Sequence, residues 1–234
     1  MSRPGAASFA ARSSFRVVAR AAAMIFGIAA IAATAACSGG PAEPPSDDGS
    51  PLTVPLRVHF LASASSEALD TTIDEAALDT LLARVNGVWT QAAITFVVDT
   101  VLREEARNPA EFERLLRDEV ILGAVIPPDH LHPDGWDVFV IRDLRGVAGG
   151  IYYQSVPAVL WPELTPEGVR DLPGDSGRIL AHEIGHMLGL AHVTCTAGGN
   201  LMAPECPSAD PGFLSPSQAG RARGQVLLGR AFGL

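Results

Sequence analysis

Residues 182–192 decide the chemistry and much of the fold, and they read His182-Glu183-Ile184-Gly185-His186-Met187-Leu188-Gly189-Leu190-Ala191-His192. His182 and His186 are four residues apart, so on a helix both imidazoles project from the same face and can bind one metal ion. Gly189 can adopt a left-handed backbone conformation that ends the helix. The chain can then turn back and bring His192 to the same ion as a third ligand.

The predicted ligand set is that of a catalytic zinc site. Three neutral imidazoles leave a fourth position open, whereas structural zinc sites are closed by four protein ligands. Zinc lowers the pKa of a bound water to about 7, and Glu183 is expected to take its proton and pass it to a leaving amine. The predicted reaction is hydrolysis of a peptide bond. A bare H-E-x-x-H match also occurs among surface residues of ordinary helices, but Gly189 and His192 at these spacings favour the metal site.

The extended motif, H-E-x-x-H-x-x-G-L-x-H, resembles the metzincin clan of zinc endopeptidases. That clan has a methionine-containing turn below the metal, and residues 200–204 stand at the matching place, with Met202 as the turn methionine. Residues 214–218 resemble the start of the last helix of matrixins. The resemblance covers residues 52–234 and is specific over 182–202. It implies an α+β zincin catalytic domain with a twisted, mixed but mainly parallel sheet of about five strands and three main helices.

Two departures leave the subfamily open. Pro204 stands where astacins and serralysins carry a tyrosine, and Val193 stands where matrixins usually have serine and adamalysins aspartate. We favour a matrixin-like domain, with pappalysin-like enzymes as the neighbouring possibility. A rival ligand set takes its third ligand from Glu205, as in thermolysin-like enzymes, but it leaves His192 without a role.

The first 37 residues have the features of an export signal. Residues 1–20 contain four arginines and no acid, and residues 21–36 form an uncharged apolar run. Sixteen residues are short for a membrane span, which needs about 20, although a retained membrane helix is the alternative. Thr34-Ala35-Ala36-Cys37 resembles a bacterial lipobox in which Thr34 replaces the usual leucine.

Two locations follow from this segment. Lipidation of Cys37 would attach the protein to a membrane surface without a spanning helix. Cleavage at Ala33-Thr34-Ala35 would release it instead. The sequence therefore predicts an exported protein, held at the bacterial cell envelope as a lipoprotein or secreted.

Composition divides the rest of the chain into a tether and a domain. Residues 38–52 are rich in Pro, Ser, Gly, Asp and Glu and predict a disordered tether before a catalytic domain at residues 53–234. Without residues 1–37 the chain has 13 arginines, no lysine and 26 acidic residues, a net charge of about −13. This charge argues against binding nucleic acid, which requires a basic face. A protein or peptide substrate and a monomeric state are expected.

Cys195 and Cys206 are the two cysteines that remain after Cys37. In an exported protein such a pair predicts a disulfide. The bridge would bracket Met202 and stabilise the loop below the zinc by at most about 3 kcal/mol. Free thiols or metal binding are the alternatives, but a cysteine ligand would close the open zinc position.

Alternation and helical periodicity outline the scaffold. Strands are predicted at residues 52–61, 94–98, 136–141 and 148–153, and helices after a capping box at residues 72–75 and over residues 108–122. Asp175 or Ser176 is expected to cap the helix of the zinc motif, and residues 215–218 to cap the last helix. His59, in the first strand, is expected to be packed rather than a ligand.

The segment at residues 148–153 is the predicted edge strand, and the metzincin resemblance implies that it runs along the cleft and pairs with an extended substrate. Gly149, Gly150, Ile151 and Tyr152 would let an extended substrate come close and add a strand to the sheet. An ordinary strand weakened by glycines is the alternative.

A second metal site is conceivable before the central strand. The segment contains two histidines and two aspartates, at positions Asp129, His130, His132 and Asp134. They could bind a second zinc or a structural Ca²⁺, but a solvated loop is favoured because the histidines have no evident partners.

Three functions are compatible with these patterns. The first is an exported zinc endopeptidase with Glu183 as general base. The second is a membrane-anchored peptide-binding module without turnover, and the third is a zinc amidase acting on cell-wall peptide. The absence of Glu183 or of one of the three histidines would favour the binding module, but all of them are present.

Overall fold

The computed structural model describes residues 46–115, 125–132, 134–146, 148–153, 156–195, 199–204 and 212–232. The chain divides into Met1–Ala42 and Glu43–Leu234, and every described residue belongs to the second unit. The predicted export signal, Cys37 and most of the predicted tether lie outside the described residues and stay predictions. Within the described part of the chain, no helix is long and apolar enough to cross a membrane.

A five-stranded sheet forms the centre of the domain. Its strands are β1 (Leu52–Ala62), β2 (Ile94–Glu105), β3 (Asp137–Ile141), β4 (Ile151–Tyr153) and β5 (Ala158–Pro162). The strand order is β2-β1-β3-β5-β4. β1 pairs in parallel with β2 and β3, β3 pairs in parallel with β5, and the edge strand β4 runs antiparallel to β5.

Helices complete the α+β fold. They are α1 (Glu75–Trp89), the short α2 (Pro109–Leu115), α3 (Asp175–Met187) and α4 (Pro216–Leu227), with 3₁₀ turns at Thr90–Ala92 and Pro128–His130. The predicted α+β class, with about five mainly parallel strands and three main helices, is confirmed. Only the first part of the helix predicted at residues 108–122 lies within the described residues.

The strand period of two gives the sheet two different faces. The first, which we call the helical face, packs against α1 and α3; β1 contributes to its core Val54, Leu56, Val58 and Phe60. The second, which we call the opposite face, carries a smaller core that includes Leu61, Phe112, Phe139 and Ile141. His59 points to this opposite face and is fully buried, stacked on Phe139 with 4.1 Å between ring centroids. The packing expected for His59 is confirmed, whereas the expectation that it is not a ligand is not tested by its burial.

The N-cap of α1 is Asp74, not Thr72 as the capping-box pattern predicts. The Asp74 carboxylate accepts a hydrogen bond of 2.9 Å from the backbone N–H of Ala77. Thr72 donates both its hydroxyl and its backbone N–H to the buried Glu163. A carboxylate from beyond β5 thus competes for Thr72, and the helix begins two residues later than a Thr72 cap would place it.

The caps of the last two helices differ in how well the sequence predicted them. α3 follows Gly174 and has no side-chain N-cap, so neither Asp175 nor Ser176 caps it. Asp171 satisfies the helix start instead, because its carboxylate accepts a 3.1 Å hydrogen bond from the N–H of Asp175. The predicted capping box of α4, between Ser215 and Gln218, is confirmed.

Two strand boundaries differ from the prediction by more than one residue, and one strand is not predicted. β2 continues to Glu105 because it pairs with β1 along its whole length. β4 begins at Ile151, so Gly149 and Gly150 precede the edge strand. β5 is not among the predicted strands, yet it is completely buried between β3 and β4.

The end of the predicted tether is attached to the domain. Asp47 accepts hydrogen bonds of 2.5 and 2.7 Å from the guanidinium of Arg223 on α4. Arg223 also donates to the carbonyl of Ala92 at 3.0 Å. The disordered tether therefore stays a prediction for residues 38–45, whereas residues from Asp47 onward contact the domain.

Candidate metal centre

The structure brings together the three predicted histidine ligands. The Nε2 atoms of His182 and His186 are 3.2 Å apart, and both lie close to Nε2 of His192, at 3.1 and 3.0 Å respectively. His182 is buried and His192 is exposed. The three nitrogens thus converge on one point that is open to solvent on one side.

The end of α3 explains how His192 reaches its partners. Gly189 has a φ of 77°, as the sequence predicts for the residue that stops this helix. The N–H of Gly189 donates to the carbonyl of His186, and the N–H of Leu190 donates to that of Gly185, both at 2.9 Å. This pair of bonds is a Schellman motif, which reverses the chain at a left-handed glycine.

Backbone carbonyls orient two of the imidazoles. Nδ1 of His182 lies 2.7 Å from the carbonyl oxygen of Leu201, and Nδ1 of His186 lies 2.7 Å from that of Leu190. A carbonyl can only accept, so each Nδ1 carries the proton and each Nε2 presents its lone pair to the shared point. Both rings are therefore held in an orientation that suits binding of one metal ion.

Burial keeps these ligands neutral. It lowers the pKa of His182 to about 4, with the neighbouring His186 and His192 adding to the shift. Burial also lowers the pKa of His186. Neutral imidazole is the form that binds a metal ion, so both rings are available to one at neutral pH.

The arrangement fits zinc. At Zn–N distances of about 2.0–2.1 Å, tetrahedral geometry separates two nitrogen ligands by about 3.3 Å, close to the separations of 3.0–3.2 Å between the three Nε2 atoms. Three imidazole nitrogens with one open side are the donor set of catalytic zinc. The residues present therefore suit one catalytic zinc ion.

Glu183 lies on α3 next to this point and is 7% exposed. Burial raises the pKa of its carboxyl to about 8. A Cβ added to Gly150 would lie 2.5 Å from Cγ of Glu183, so the absence of a side chain at Gly150 gives Glu183 its space. The absence of a side chain at Gly149 likewise leaves space for Ile179 of α3. These glycines thus bring the start of the edge strand close to α3, a role that the sequence interpretation did not include.

Met202 lies below α3, where the metzincin resemblance expects the turn methionine. Its side chain is completely buried, and its sulfur would be 2.5 Å from a Cβ added to Gly185. Gly185 stands between the two helical ligands, so the absence of its side chain lets Met202 pack directly beneath them. The carbonyl of Met202 accepts a 2.9 Å hydrogen bond from Val193, which follows the third ligand.

Asn200 links this turn to α4. Its side-chain oxygen accepts from the N–H of Met202 at 2.9 Å. Its amide also exchanges two hydrogen bonds with the amide of Gln218, at 2.9 and 3.0 Å. Because Gln218 belongs to the α4 capping box, the last helix supports the turn beneath the histidines. Sequence analysis placed Gln218 in the cap, but Asn200 and Gln218 lie 18 residues apart and no spacing pattern joins them.

We expect Gly185→Ala to destabilise the protein by about 1–3 kcal/mol, because the new methyl group must displace the buried Met202. Gly87→Ala is the matched control: it also lies inside a helix, and its Cβ would meet nothing within 4 Å. There the change is expected to stabilise by about 0.5–1 kcal/mol. Urea denaturation measures both. Equal effects at the two sites would contradict the close packing of Met202 on Gly185.

Two clefts adjoin the three histidines. One, of about 300 Å³, is lined by residues that include His182, Glu183, Arg178, Glu167 and Pro204. The other, of about 530 Å³, is lined by residues that include His186, His192, Tyr152, Arg221 and Phe232. Both clefts thus include histidines whose nitrogens converge.

Two other predicted features are only partly described. Cys195 is disulfide-bonded, but Cys206 lies outside the described residues, so their pairing stays a prediction. The rival ligand Glu205 also lies outside them. Among the described residues, His192 is the third member of the candidate metal-binding group with His182 and His186.

Comparison with known proteins gives a solved structure but no family. No protein-family model matches the chain, and no curated protein matches it. Mature mirolysin of Tannerella forsythia, in complex with a cleaved peptide, is a similar solved structure with 18% sequence identity and a TM-score of 0.42. The match covers 66% of this chain and 68% of that chain.

Proposed function

We propose that the protein is an exported zinc-dependent endopeptidase of metzincin type, matrixin-like or pappalysin-like. One observation carries the proposal: three Nε2 atoms converge within 3.2 Å of one another, and the buried Glu183 lines the cleft beside them. Zinc held by His182, His186 and His192 would supply Lewis acidity that activates a water and polarises a carbonyl.

Glu183 is the proposed general base. Burial raises the pKa of its carboxyl to about 8, which favours the protonated form when no cation is near. A nearby cation lowers the pKa of a carboxyl, which would return Glu183 to the ionised form that can accept a proton. Glu183 would later act as the general acid and give that proton to the leaving amine.

An extended peptide is the proposed substrate. β4 is an edge strand, so its free side can form main-chain hydrogen bonds with a bound peptide. Tyr152 of this strand lines the cleft beside His186 and His192. Burial raises the pKa of Tyr152, and its hydroxyl has no hydrogen-bond partner among the described residues. Ile151 and Tyr152 are thus the proposed substrate contacts, whereas Gly149 and Gly150 serve the packing of α3.

Export is part of the proposal. The disulfide at Cys195 supports an oxidising compartment, because cytosolic thiols are usually kept reduced. Attachment through lipidated Cys37 and secretion after cleavage are the two forms in which we expect the protein. A fractionation of cells that export the full chain would separate them, since the lipidated form stays with membranes.

The activity is tested with the full chain, exported into an oxidising compartment and incubated with a diverse peptide mixture. Mass spectrometry is expected to find internal bonds cut, with cutting lost after chelation and restored by zinc. The residues around the cut bonds would then define the specificity of the two clefts.

Two outcomes would redirect the proposal. If the folded, zinc-loaded protein cuts no peptide, the function that agrees with the result is a peptide-binding module. Cutting confined to cell-wall peptides would favour the zinc amidase. The same mixture supplemented with cell-wall fragments separates these cases.

A further inference from the structure

A second group of metal-binding side chains lies on the opposite face of the sheet. Nδ1 of His59 is 2.8 Å from Oε1 of Glu104, and Nδ1 of His130 contacts the other carboxylate oxygen of Glu104. All three ligand atoms lie within 4.8 Å of one another. We propose that His59, Glu104 and His130 bind a second zinc ion.

The hydrogen bond on the far side of His59 determines which of its ring nitrogens faces Glu104 with a lone pair. Nε2 of His59 lies 3.1 Å from Oδ1 of Asp137, and both side chains are fully buried. A carboxylate at this distance accepts the Nε2 proton, which leaves the lone pair of a neutral ring on Nδ1. That lone pair faces a carboxylate oxygen of Glu104. Two acceptors at 2.8 Å need a cation between them, either an extra proton or a metal ion.

His130 adds a third metal-ligating group to the pair of His59 and Glu104. With only a proton between His59 and Glu104, His130 would do no more than donate a hydrogen bond to the other carboxylate oxygen. A metal ion uses all three groups at once, with Asp137 behind His59 as the carboxylate that orients a ligating imidazole. The stacking of His59 on Phe139 holds the ring in this orientation.

Other charges around the cluster are already satisfied. Arg57 lies 3.5 Å from Asp137 and donates to the carbonyl of His130 at 3.2 Å. The second oxygen of Asp137 accepts from the N–H of His132 at 3.0 Å. These contacts fix the backbone of the segment that carries His130. The contact of the His130 imidazole with Glu104 corrects the expectation that His130 has no partner.

The donor set selects zinc. Two imidazoles and one carboxylate are found at zinc sites in proteins, whereas Ca²⁺ takes oxygen ligands. Asp129 and Asp134, which the sequence offered as calcium ligands, are not in the cluster. The His130 side chain is about half exposed, at 46%, so an ion can enter from solvent and keep a water as a further ligand.

The position of the site indicates a structural role. His59 lies on β1, Glu104 on β2 and His130 in the 3₁₀ turn before β3, all on the face opposite the core that contains α3. Zinc would tie this turn to the sheet. Metal at this site should therefore add stability independently of the catalytic centre.

The number of bound zinc ions tests the proposal. The full chain, dialysed in zinc-buffered solution, is expected to bind about two zinc ions by plasma mass spectrometry. His186→Ala/His192→Ala should bind about one, and adding His130→Ala to that pair should leave none. His132→Ala is the matched control, because His132 is a neighbouring exposed histidine outside the cluster; it should keep the wild-type count.

Two readouts check the site without the catalytic centre. Excess zinc should raise the Tm of His186→Ala/His192→Ala, and this rise should vanish when His130→Ala or Glu104→Gln is added. Circular dichroism verifies that each variant is folded. A wild-type count of one that falls to zero in His186→Ala/His192→Ala would overturn the proposal and leave a proton between His59 and Glu104. A count unchanged by His130→Ala would overturn it as well.

Discussion

Glu183→Gln is expected to lower kcat/KM for peptide hydrolysis by about 100- to 10,000-fold, the usual contribution of a general base. Gln has the shape of Glu, so it fits the space that Gly150 leaves beside α3. The three histidines and their carbonyl partners are unchanged, so bound zinc should equal that of the wild type. The loss of rate with zinc retained separates a base from a ligand.

Glu167→Gln is the matched control for this change. Glu167 lines the same cleft as Glu183 but is exposed. The same loss of charge there should change kcat/KM by only a few fold. Progress curves with one cleaved peptide, together with zinc counts, measure both variants. Activity of Glu183→Gln within about threefold of the wild type would exclude Glu183 as the base.

The site was predictable where its parts are close in sequence. The four-residue spacing of His182 and His186 and the left-handed Gly189 belong to one helix and its end, and local rules describe both. The carbonyl of Leu201, which orients His182, comes from 19 residues away. A partner this far along the chain belongs to no local sequence pattern, so its role can be seen only in the folded structure.

The second cluster shows the same limit more strongly. His59, Glu104 and His130 lie on two strands and a turn, separated by 45 and 26 residues. Sequence analysis noted His130 but linked it to its neighbours along the chain. The parallel pairing of β1 with β2 and β3 brings the three groups together, and this pairing is a non-local property.

Competition between side chains explains the misplaced helix start. Both Thr72 and Asp74 are good N-caps, and residues 72–75 alone favour Thr72 through its capping box. The sequence near α1 contains no sign of Glu163, which arrives from the end of β5 and accepts hydrogen bonds from Thr72. Thr72 bonds to Glu163 and does not cap the helix, because a buried carboxylate must have its charge satisfied by hydrogen bonds.

Glu163→Gln is expected to destabilise the protein by about 3 kcal/mol, the cost of breaking a buried charged network. Glu163 is fully buried and accepts hydrogen bonds of 2.6–3.0 Å from the Thr71 and Thr72 hydroxyls, the Thr72 and Ile73 N–H groups and Arg170. An amide turns one acceptor oxygen into a donor that faces other donors. The start of α1 would then lose its attachment to β5.

The pH dependence of this effect has a defined sign. Burial alone would raise the pKa of Glu163, but the hydrogen bonds from Thr71 and Thr72 and the charge of Arg170 lower it below its ordinary 4.5. A lowered pKa means that the folded state favours the carboxylate. Its contribution is therefore complete above pH 4.5 and is lost as the pH falls through the lowered folded value. The difference between wild type and Glu163→Gln should shrink in the same range.

Glu67→Gln separates burial from charge in this test. Glu67 pairs with Arg142 at 3.1 Å, but its side chain is 76% exposed, so the same substitution should change the free energy of unfolding by less than about 0.5 kcal/mol. Urea denaturation at neutral and acidic pH measures both variants. If Glu163→Gln cost no more than Glu67→Gln, the carboxylate would not hold α1 to β5. The position of α1, against which α3 and its zinc ligands pack, would then depend on apolar contacts alone.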